Sequence, residues 1–214
     1  MNENRALRLD ASHRLWIEAL PTPEPAEGEV LVRIRANGIC GSDVHFYERG
    51  VLGPYVVREP YTPGHEAAGE IVALGPGVTQ RHLGQAVAIE PGIPCRRCRY
   101  CKAGRYNQCR EVVFLSVPGI DGTFRDYVAV PWDFAHPMPE GLSWEQGACV
   151  EPVAVAVHAV NRARIAPGAT VAVLGVGPIG LLVVEAALAV GAGKVLALDR
   201  QPMRLAVAES LGAT

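Results

Sequence analysis

Four of the six cysteines fall within fifteen residues, Cys95, Cys98, Cys101 and Cys109 of CRRCRYCKAGRYNQC, in the spacing C-x2-C-x2-C-x7-C. A tetrahedral zinc ion takes four soft ligands at about 2.3 Å, and closely spaced thiolates on a looped chain supply them without a large core. An iron–sulfur cluster also takes four cysteines. A redox C-x-x-C pair needs only two, usually opening a helix beside a βαβ unit. The loop suits both less well, so structural zinc is the expected occupant. Four thiolates around a divalent ion leave local negative charge, which Arg96, Arg97, Arg99, Lys102, Arg105 and Arg110 are expected to offset while donating hydrogen bonds to sulfur. The competing reading, a basic zinc knuckle for nucleic acid, finds no second basic patch in a chain of formal charge −2.

Other potential metal ligands are dispersed. GICGSDVHFYERG presents Cys40, PGHEAAGEIV presents His65 and Glu66, and GACVEPVAV presents Glu151, each beside glycine or proline. Spacing does not show that they meet. A lone Cys40 reads equally as a small buried hydrophobe, a lone His65 as a hydrogen-bonded structural residue, and Cys149 as an ordinary buried thiol.

A nucleotide signal follows in TVAVLGVGPIG, where Gly175, Gly177 and Gly180 stand in G-x-G-x-x-G register between a strand and a helix, and Asp199 closes the next strand. Such glycines let the backbone approach a pyrophosphate, whose charge the helix N-terminus favours. The acid can accept hydrogen bonds from the adenosine ribose hydroxyls. The plain alternative is a tight turn between strand and helix that binds nothing.

The elements carrying these residues divide in two. Up to about Pro152, short β-rich runs (EVLVRIRANGI, AAGEIVALG, AVAIEPG, TFRDYVAV) separated by glycine and proline predict an all-β, barrel-like domain over 1–152, with the cysteine lobe at 95–109. From 153 to 214 the order is helix, strand, helix, strand, helix, the opening of a parallel α/β sheet. With 214 residues, 49% of them hydrophobic, the chain has material for globular cores. Its first residues hold no apolar run of signal-peptide length, which predicts a cytoplasmic protein with reduced cysteines. Residues 169–193 carry one charge, Glu185, but the change from β-branched run to glycine turn to Ala/Leu/Val run reads as strand, turn and helix rather than a membrane span.

In order, ICGSDVH, PGHEAAG, VAIEPG, GRYNQC, DGTFRDYV, EPVAVAVHA and GVGPIG resemble the zinc-dependent medium-chain dehydrogenases/reductases, most of all their sorbitol (L-iditol) and xylitol dehydrogenase branch. The resemblance implies a GroES-like catalytic domain followed by the first part of an NAD-binding Rossmann domain, with zinc in the cleft between them. It implies Cys40 and His65 as catalytic-zinc ligands, Glu66 or water completing the shell, and Asp43 orienting His65. Glu151 takes the place of a cysteine ligand of the classical alcohol dehydrogenases, in the manner of the polyol branch. Ser42 matches the start of the proton relay, with Glu151 through water as the other route. Ile179, Asp199 and Arg204 match NAD contacts; Arg200 leaves NADP open. Phe46 stands where the polyol enzymes often carry tyrosine, with Tyr47 next door. The implied reaction is oxidation of a polyol's secondary alcohol to a ketose, against threonine- or butanediol-type dehydrogenation or an inactive zinc-stabilised fragment. A homo-oligomer is implied for the full-length form, with neither nucleic acid nor membrane as partner. Because the family continues well beyond ESLGAT, the sequence reads as a truncated product with an exposed apolar sheet edge.

Overall fold

The computed structural model describes residues 3–214 as two compact units, one ending at Cys149 and the other running Val150–Thr214. The first unit is built on a five-stranded antiparallel sheet. Its strands lie in the spatial order Tyr127–Pro131, Glu29–Gly38, Glu66–Leu74, Ala86–Ile89 and Ala135–Pro137. Valines and isoleucines dominate the contributing runs because a β-branched side chain packs well on a pleated, half-buried surface. Val30, Val32, Ile71, Val87, Ile89, Val128 and Val130 form its core. Between Glu29–Gly38 and Glu66–Leu74 the register shifts at Leu31/Val32 and again at Ile34/Ala36, and the ladder ends with Gly38 opposite Glu66. Irregularities of this kind re-aim side chains near functional sites; here they decide which residue faces Glu66.

An N-terminal hairpin, Asn4–Leu9 with Leu15–Leu20, is not announced by glycine or proline. Its turn is made by Asp10, whose Oδ1 accepts from the N–H groups of Ser12 (2.9 Å) and Arg14 (3.1 Å). The hairpin joins the sheet through side chains as well as backbone. Asn4 is 1% exposed; its Oδ1 accepts from Tyr127 N–H (2.9 Å) and its Nδ2 donates to Tyr127 O (3.2 Å), reproducing a ladder pair where the strands part. Arg5 grips Asp126 through two nitrogens, at 2.9 and 3.1 Å.

In the second unit Thr170–Leu174 pairs in parallel with Lys194–Leu198, and helix Pro178–Ala189 makes the crossover between them. Helices Val150–Ala163 and Pro202–Ser210 complete a core of Val160, Val173, Val176, Val184, Ala187, Val195 and Ala208. Leu174 and Leu198, partners in the ladder, are 81% and 50% exposed. Among the described residues no helix is long and apolar enough to cross a membrane. Cys149 is exposed rather than buried, because it stands at the end of helix Trp144–Ala148, where the chain leaves the first unit.

Asn4→Ala deletes both side-chain bonds and strands the backbone groups of Tyr127. Unfolding in urea should show a loss of about 1–3 kcal/mol, and an unchanged midpoint would remove Asn4 from the account of how the hairpin is held.

Candidate functional site

Cys40 is the N-cap of helix Gly41–Arg49, and Asp43, three residues on, reaches back so that its Oδ2 accepts the Cys40 N–H at 3.0 Å. The other oxygen, Oδ1, accepts from Gly64 N–H (3.2 Å) and from the Ser116 hydroxyl (3.0 Å). One buried carboxylate therefore ties the segment bearing Cys40 to the segment bearing His65 and Glu66. His65 is 7% exposed, and its buried Nδ1 has no hydrogen-bond partner among the described residues. Asp43 Oδ1 stands 3.9 Å from that nitrogen, an electrostatic approach rather than a hydrogen bond. The Phe114 ring meets the imidazole edge to face, with centroids 5.5 Å apart.

Glu66 opens its strand opposite Gly38, and a Cβ on residue 38 would lie 2.1 Å from Glu66 Oε2. The glycine is what makes room for the carboxylate. Ligand atoms of Cys40, His65 and Glu66 all lie within 4.8 Å of one another. Zinc ligands at about 2.1–2.3 Å from a shared centre stand roughly 3.5–3.8 Å apart in tetrahedral geometry, so a small contraction closes these three on one ion. Burial pushes the Cys40 thiol up, hydrogen bonding from the Ser42 side chain and N–H works against that, and the charges of Glu66 and Asp43 add to the rise. A divalent cation among these groups reverses that balance and favours the thiolate.

Ser42 thus sits beside Cys40 in the first turn of the helix, while Glu151 stands in the other compact unit, in the first turn of helix Val150–Ala163. Phe46 is 3% exposed and packs edge to face on Tyr61, so it belongs to the small core of Leu9, Phe46, Val57 and Tyr61; Tyr47 is 46% exposed. Two neighbours of the site, Gly38 and Ser116, carry no sequence signal of their own, and neither does His45 on the adjoining helix. The last lies one turn after Ser42, with a buried Nδ1 that has no hydrogen-bond partner among the described residues.

The four-cysteine lobe is closed by the short hairpin of Gly92–Ile93 with Val113–Phe114. Its sulfurs stand 3.5 Å (Cys98–Cys101) and 4.0 Å (Cys95–Cys101 and Cys98–Cys109) apart. The edge of a tetrahedron with 2.3 Å metal–sulfur bonds is about 3.8 Å, so the thiols already hold the shape of a zinc shell. The N–H of Cys101 brings Cys98 down to about 6, the N–H of Arg97 lowers Cys95, and burial raises Cys101.

The arginines meet the expectation in part, Arg97 through its side-chain bond to the Cys95 sulfur. Arg96 makes a two-pronged pair with Asp133 at 2.7 Å, and Arg97 binds Glu111 at 2.6 Å while also feeling the Cys95 sulfur. Arg99, Arg105 and Arg110 gather around the Tyr100 ring at 4.7, 5.7 and 5.7 Å. Donation to sulfur comes mainly from backbone N–H groups, because a guanidinium reaches farther than a tight thiolate loop allows and finds carboxylates and an aromatic face there.

In the second unit Gly175 has φ 87°, and a Cβ at Gly180 would lie 2.0 Å from Gly175 O, so the strand-to-helix turn closes only with glycine at both positions. Around Gly177, by contrast, a Cβ would meet nothing closer than Arg204 Nη1 at 3.9 Å. That open space lies at the N-cap of helix Pro178–Ala189, and a helix N-terminus favours an anionic group. Asp199 accepts from Val176 N–H and Gln201 N–H, both at 2.9 Å, and Arg204 lies 3.6 Å away. Those donors, Gln201 foremost, lower its carboxyl. Ile179 is 42% exposed on the first turn of the helix.

Residues 26–140 match the family model of the alcohol dehydrogenase GroES-like domain. The chain is 46% identical over 210 residues to a sorbitol dehydrogenase of Bacillus subtilis, covering 98% of this chain and 60% of that protein. It is also 46% identical over 213 residues to D-xylulose reductase A of Aspergillus niger, covering 99% and 60%. The chain therefore spans about 60% of the length of these relatives. A Sinorhizobium meliloti protein described as a zinc-binding dehydrogenase and solved with NADP superposes with a TM-score of 0.91 at 37% identity, covering 100% of this chain and 61% of that one.

Replacing Cys98 and Cys101 together by serine should remove about one zinc per chain and destabilise the lobe, since a structural site contributes folding energy directly. Elemental analysis of the purified variant reads the stoichiometry, and an unaltered zinc content would refute the four-thiolate site.

Proposed function

We propose that this chain, which belongs to the alcohol dehydrogenase GroES-like domain family, carries the metal centre and the start of the nucleotide site of a zinc-dependent polyol dehydrogenase. The activity is NAD-linked oxidation of a secondary hydroxyl to a ketone. The observation that carries this reading is the convergence of Cys40, His65 and Glu66 within 4.8 Å, a thiolate, an imidazole and a carboxylate at one point. Thiolate and imidazole suit zinc, and three protein ligands leave a position open for a substrate oxygen. The names of the relatives, sorbitol dehydrogenase and D-xylulose reductase, favour a polyol and its ketose as the substrate pair.

The chemistry a zinc ion supplies there is Lewis-acid polarisation of the alcohol oxygen, which lowers the pKa of its hydroxyl by several units. Asp43 holds the Cys40 and His65 segments in register and lies 3.9 Å from the imidazole Nδ1, an electrostatic contact. Ser42, whose hydroxyl lies beside the Cys40 sulfur, is assigned the role of taking the first proton from the substrate hydroxyl. Glu151, as a carboxylate, is assigned the alternative role of accepting that proton through water. The acceptance of hydride belongs to the nicotinamide. Gly175, Gly177 and Gly180 with the N-terminus of helix Pro178–Ala189 are assigned to the pyrophosphate, and Ile179 and Arg204 to flanking contacts. The four-cysteine lobe is assigned a second, structural zinc.

A chain extended to the full length of these relatives and loaded with zinc, given sorbitol or xylitol with NAD, should form the ketose and NADH in equal amounts. His65→Ala should abolish that turnover and leave the lobe's ion in place. Glu151→Gln should keep most of the metal yet lose activity, since an amide cannot take up a proton as a carboxylate does. Absence of turnover on every polyol by protein holding both ions would sink the assignment.

For the cofactor, NAD is favoured over NADP, because the Asp199 carboxylate, at the end of the second strand of the unit, is assigned to the ribose hydroxyls and would repel a 2′-phosphate. A kcat/KM ratio of at least about tenfold for NAD is expected, equivalent to about 1.4 kcal/mol. Asp199→Ala should shrink or reverse it, leaving Arg200 and Arg204 free to pair with phosphate. Equal use of both cofactors by the unaltered protein would show that the arginines dominate.

A further inference from the structure

Ser116 occupies a position that serine avoids. It has φ 74°, in the left-handed region where glycine is comfortable and a side chain is strained, and it is 4% exposed. A buried hydroxyl on a strained backbone is retained only where its hydrogen bond compensates. Its partner is Asp43 Oδ1, at 3.0 Å, across 73 positions of sequence. Asp43 in turn accepts from the N–H of ligand residue Cys40 and from the N–H of Gly64, next to ligand residue His65. Ser116 lies two residues beyond Phe114, which packs on the His65 ring and belongs to the hairpin that closes the four-cysteine lobe. The segment leaving the lobe therefore touches the second metal centre twice, through one ring and one hydroxyl.

We propose that Ser116 is a positioning residue through which the four-cysteine lobe sets the geometry of the Cys40/His65/Glu66 centre. The inference rests on the reading of that centre as a metal site. The Ser116 hydroxyl fixes the rotamer of Asp43; the carboxylate then holds Cys40 and His65 at ligating distance before an ion arrives. Without the hydroxyl, Oδ1 loses one of its two donors, and the carboxylate is free to turn toward the His65 Nδ1 or to draw in water. Either movement loosens the clamp on both ligand segments. Metal affinity falls at this centre while the lobe keeps its own ion.

The informative substitution is Ser116→Gly, because glycine relieves the backbone strain at φ 74° while deleting the hydroxyl. A serine kept for stability alone predicts that Ser116→Gly changes thermal stability and leaves the metal untouched. The proposal predicts, whatever the change in melting temperature, a second-site zinc affinity, measured by chelator competition, lower by about tenfold or more, the scale seen when groups behind metal ligands are removed. Cys40→Ser identifies which of the two ions is being titrated. Cobalt supplies a spectroscopic signature: the difference spectrum between the cobalt-loaded chain and its Cys40→Ser variant isolates the second site, and its ligand-field bands should shift in Ser116→Gly. Asp43→Asn is the partner substitution in a double-mutant cycle; adding Ser116→Gly to it should cost little further affinity, because both act through one carboxylate. Ser116→Ala, which keeps the strain, serves as a second variant with the same expected metal loss. An unaltered chain that binds only the lobe's ion would overturn the reading of the centre as a metal site, and this inference with it. Two ions bound with equal affinity in the unaltered chain and in both Ser116 variants would overturn this inference alone.

Discussion

A carboxylate removed from water must find donors, and Asp43 finds its donors in the three segments that matter for the candidate metal centre. Dehydrating such a charge costs several kcal/mol. Charge-assisted bonds of about 1.5–3 kcal/mol each, from Cys40 N–H, Gly64 N–H and the Ser116 hydroxyl, offset that cost only when all three are made together. The N-terminus of helix Gly41–Arg49, the approach to strand Glu66–Leu74 and the exit from the cysteine lobe are therefore interdependent. Soft ligands with nothing to bind would otherwise drift: two thiols or a thiol and an imidazole have no strong attraction for one another. Satisfying one anion supplies, through backbone N–H groups, the preorganisation that the ligands cannot supply for themselves.

The lobe solves the same problem with different means. Its four sulfurs come from one loop, so chain connectivity brings them together, and backbone N–H groups of Arg97 and Cys101 point at the thiols from within that loop. The guanidinium groups then act at longer range. Arg96 anchors the loop to Asp133, and Arg99, Arg105 and Arg110 clad Tyr100 with positive charge. Were the four thiolates to hold zinc, their excess negative charge would be met mainly by this surrounding cationic shell, with Arg97 also interacting directly with the Cys95 sulfur.

How much of this was legible in the residues follows from how local each requirement is. The glycine turn could be read because Gly175 and Gly180 are needed within six positions of each other, and the two faces of the requirement, strand before and helix after, adjoin it. The lobe could be read because its ligands share one loop. By contrast, the meeting of Cys40 with His65 and Glu66 depends on where two strands stop pairing, and Gly38 faces Glu66 only after two register shifts that no residue pattern announces. The resemblance to a family carried those ligands where spacing could not. Ser116 was beyond reach, since a serine in LSVPG reads as turn chemistry and its meaning lies in a backbone angle and a partner 73 residues away. The N-terminal hairpin escaped for a related reason: its turn is built by the Asp10 side chain, in a run that holds neither glycine nor proline. The exposed Cys149 escaped because burial depends on where the chain passes between its two compact units.

Asp199 shows the second unit using one anion twice, as the first unit does with Asp43. Its Oδ2 binds the N–H of Val176, inside the glycine turn, and its Oδ1 binds Gln201 N–H at the start of the final helix. The carboxylate therefore braces the glycine turn and the start of the final helix at the same time. Each oxygen has a second lone pair, so both can still accept from a ribose hydroxyl without giving up these bonds. A 2′-phosphate, in contrast, would have to displace or neutralise a charge that the loop geometry requires, and Arg204 at 3.6 Å would have to choose between the aspartate and the phosphate. If the glycine turn holds a pyrophosphate as proposed, discrimination between the two nucleotides would be coupled to the integrity of that turn, because the Asp199 carboxylate is bonded into it.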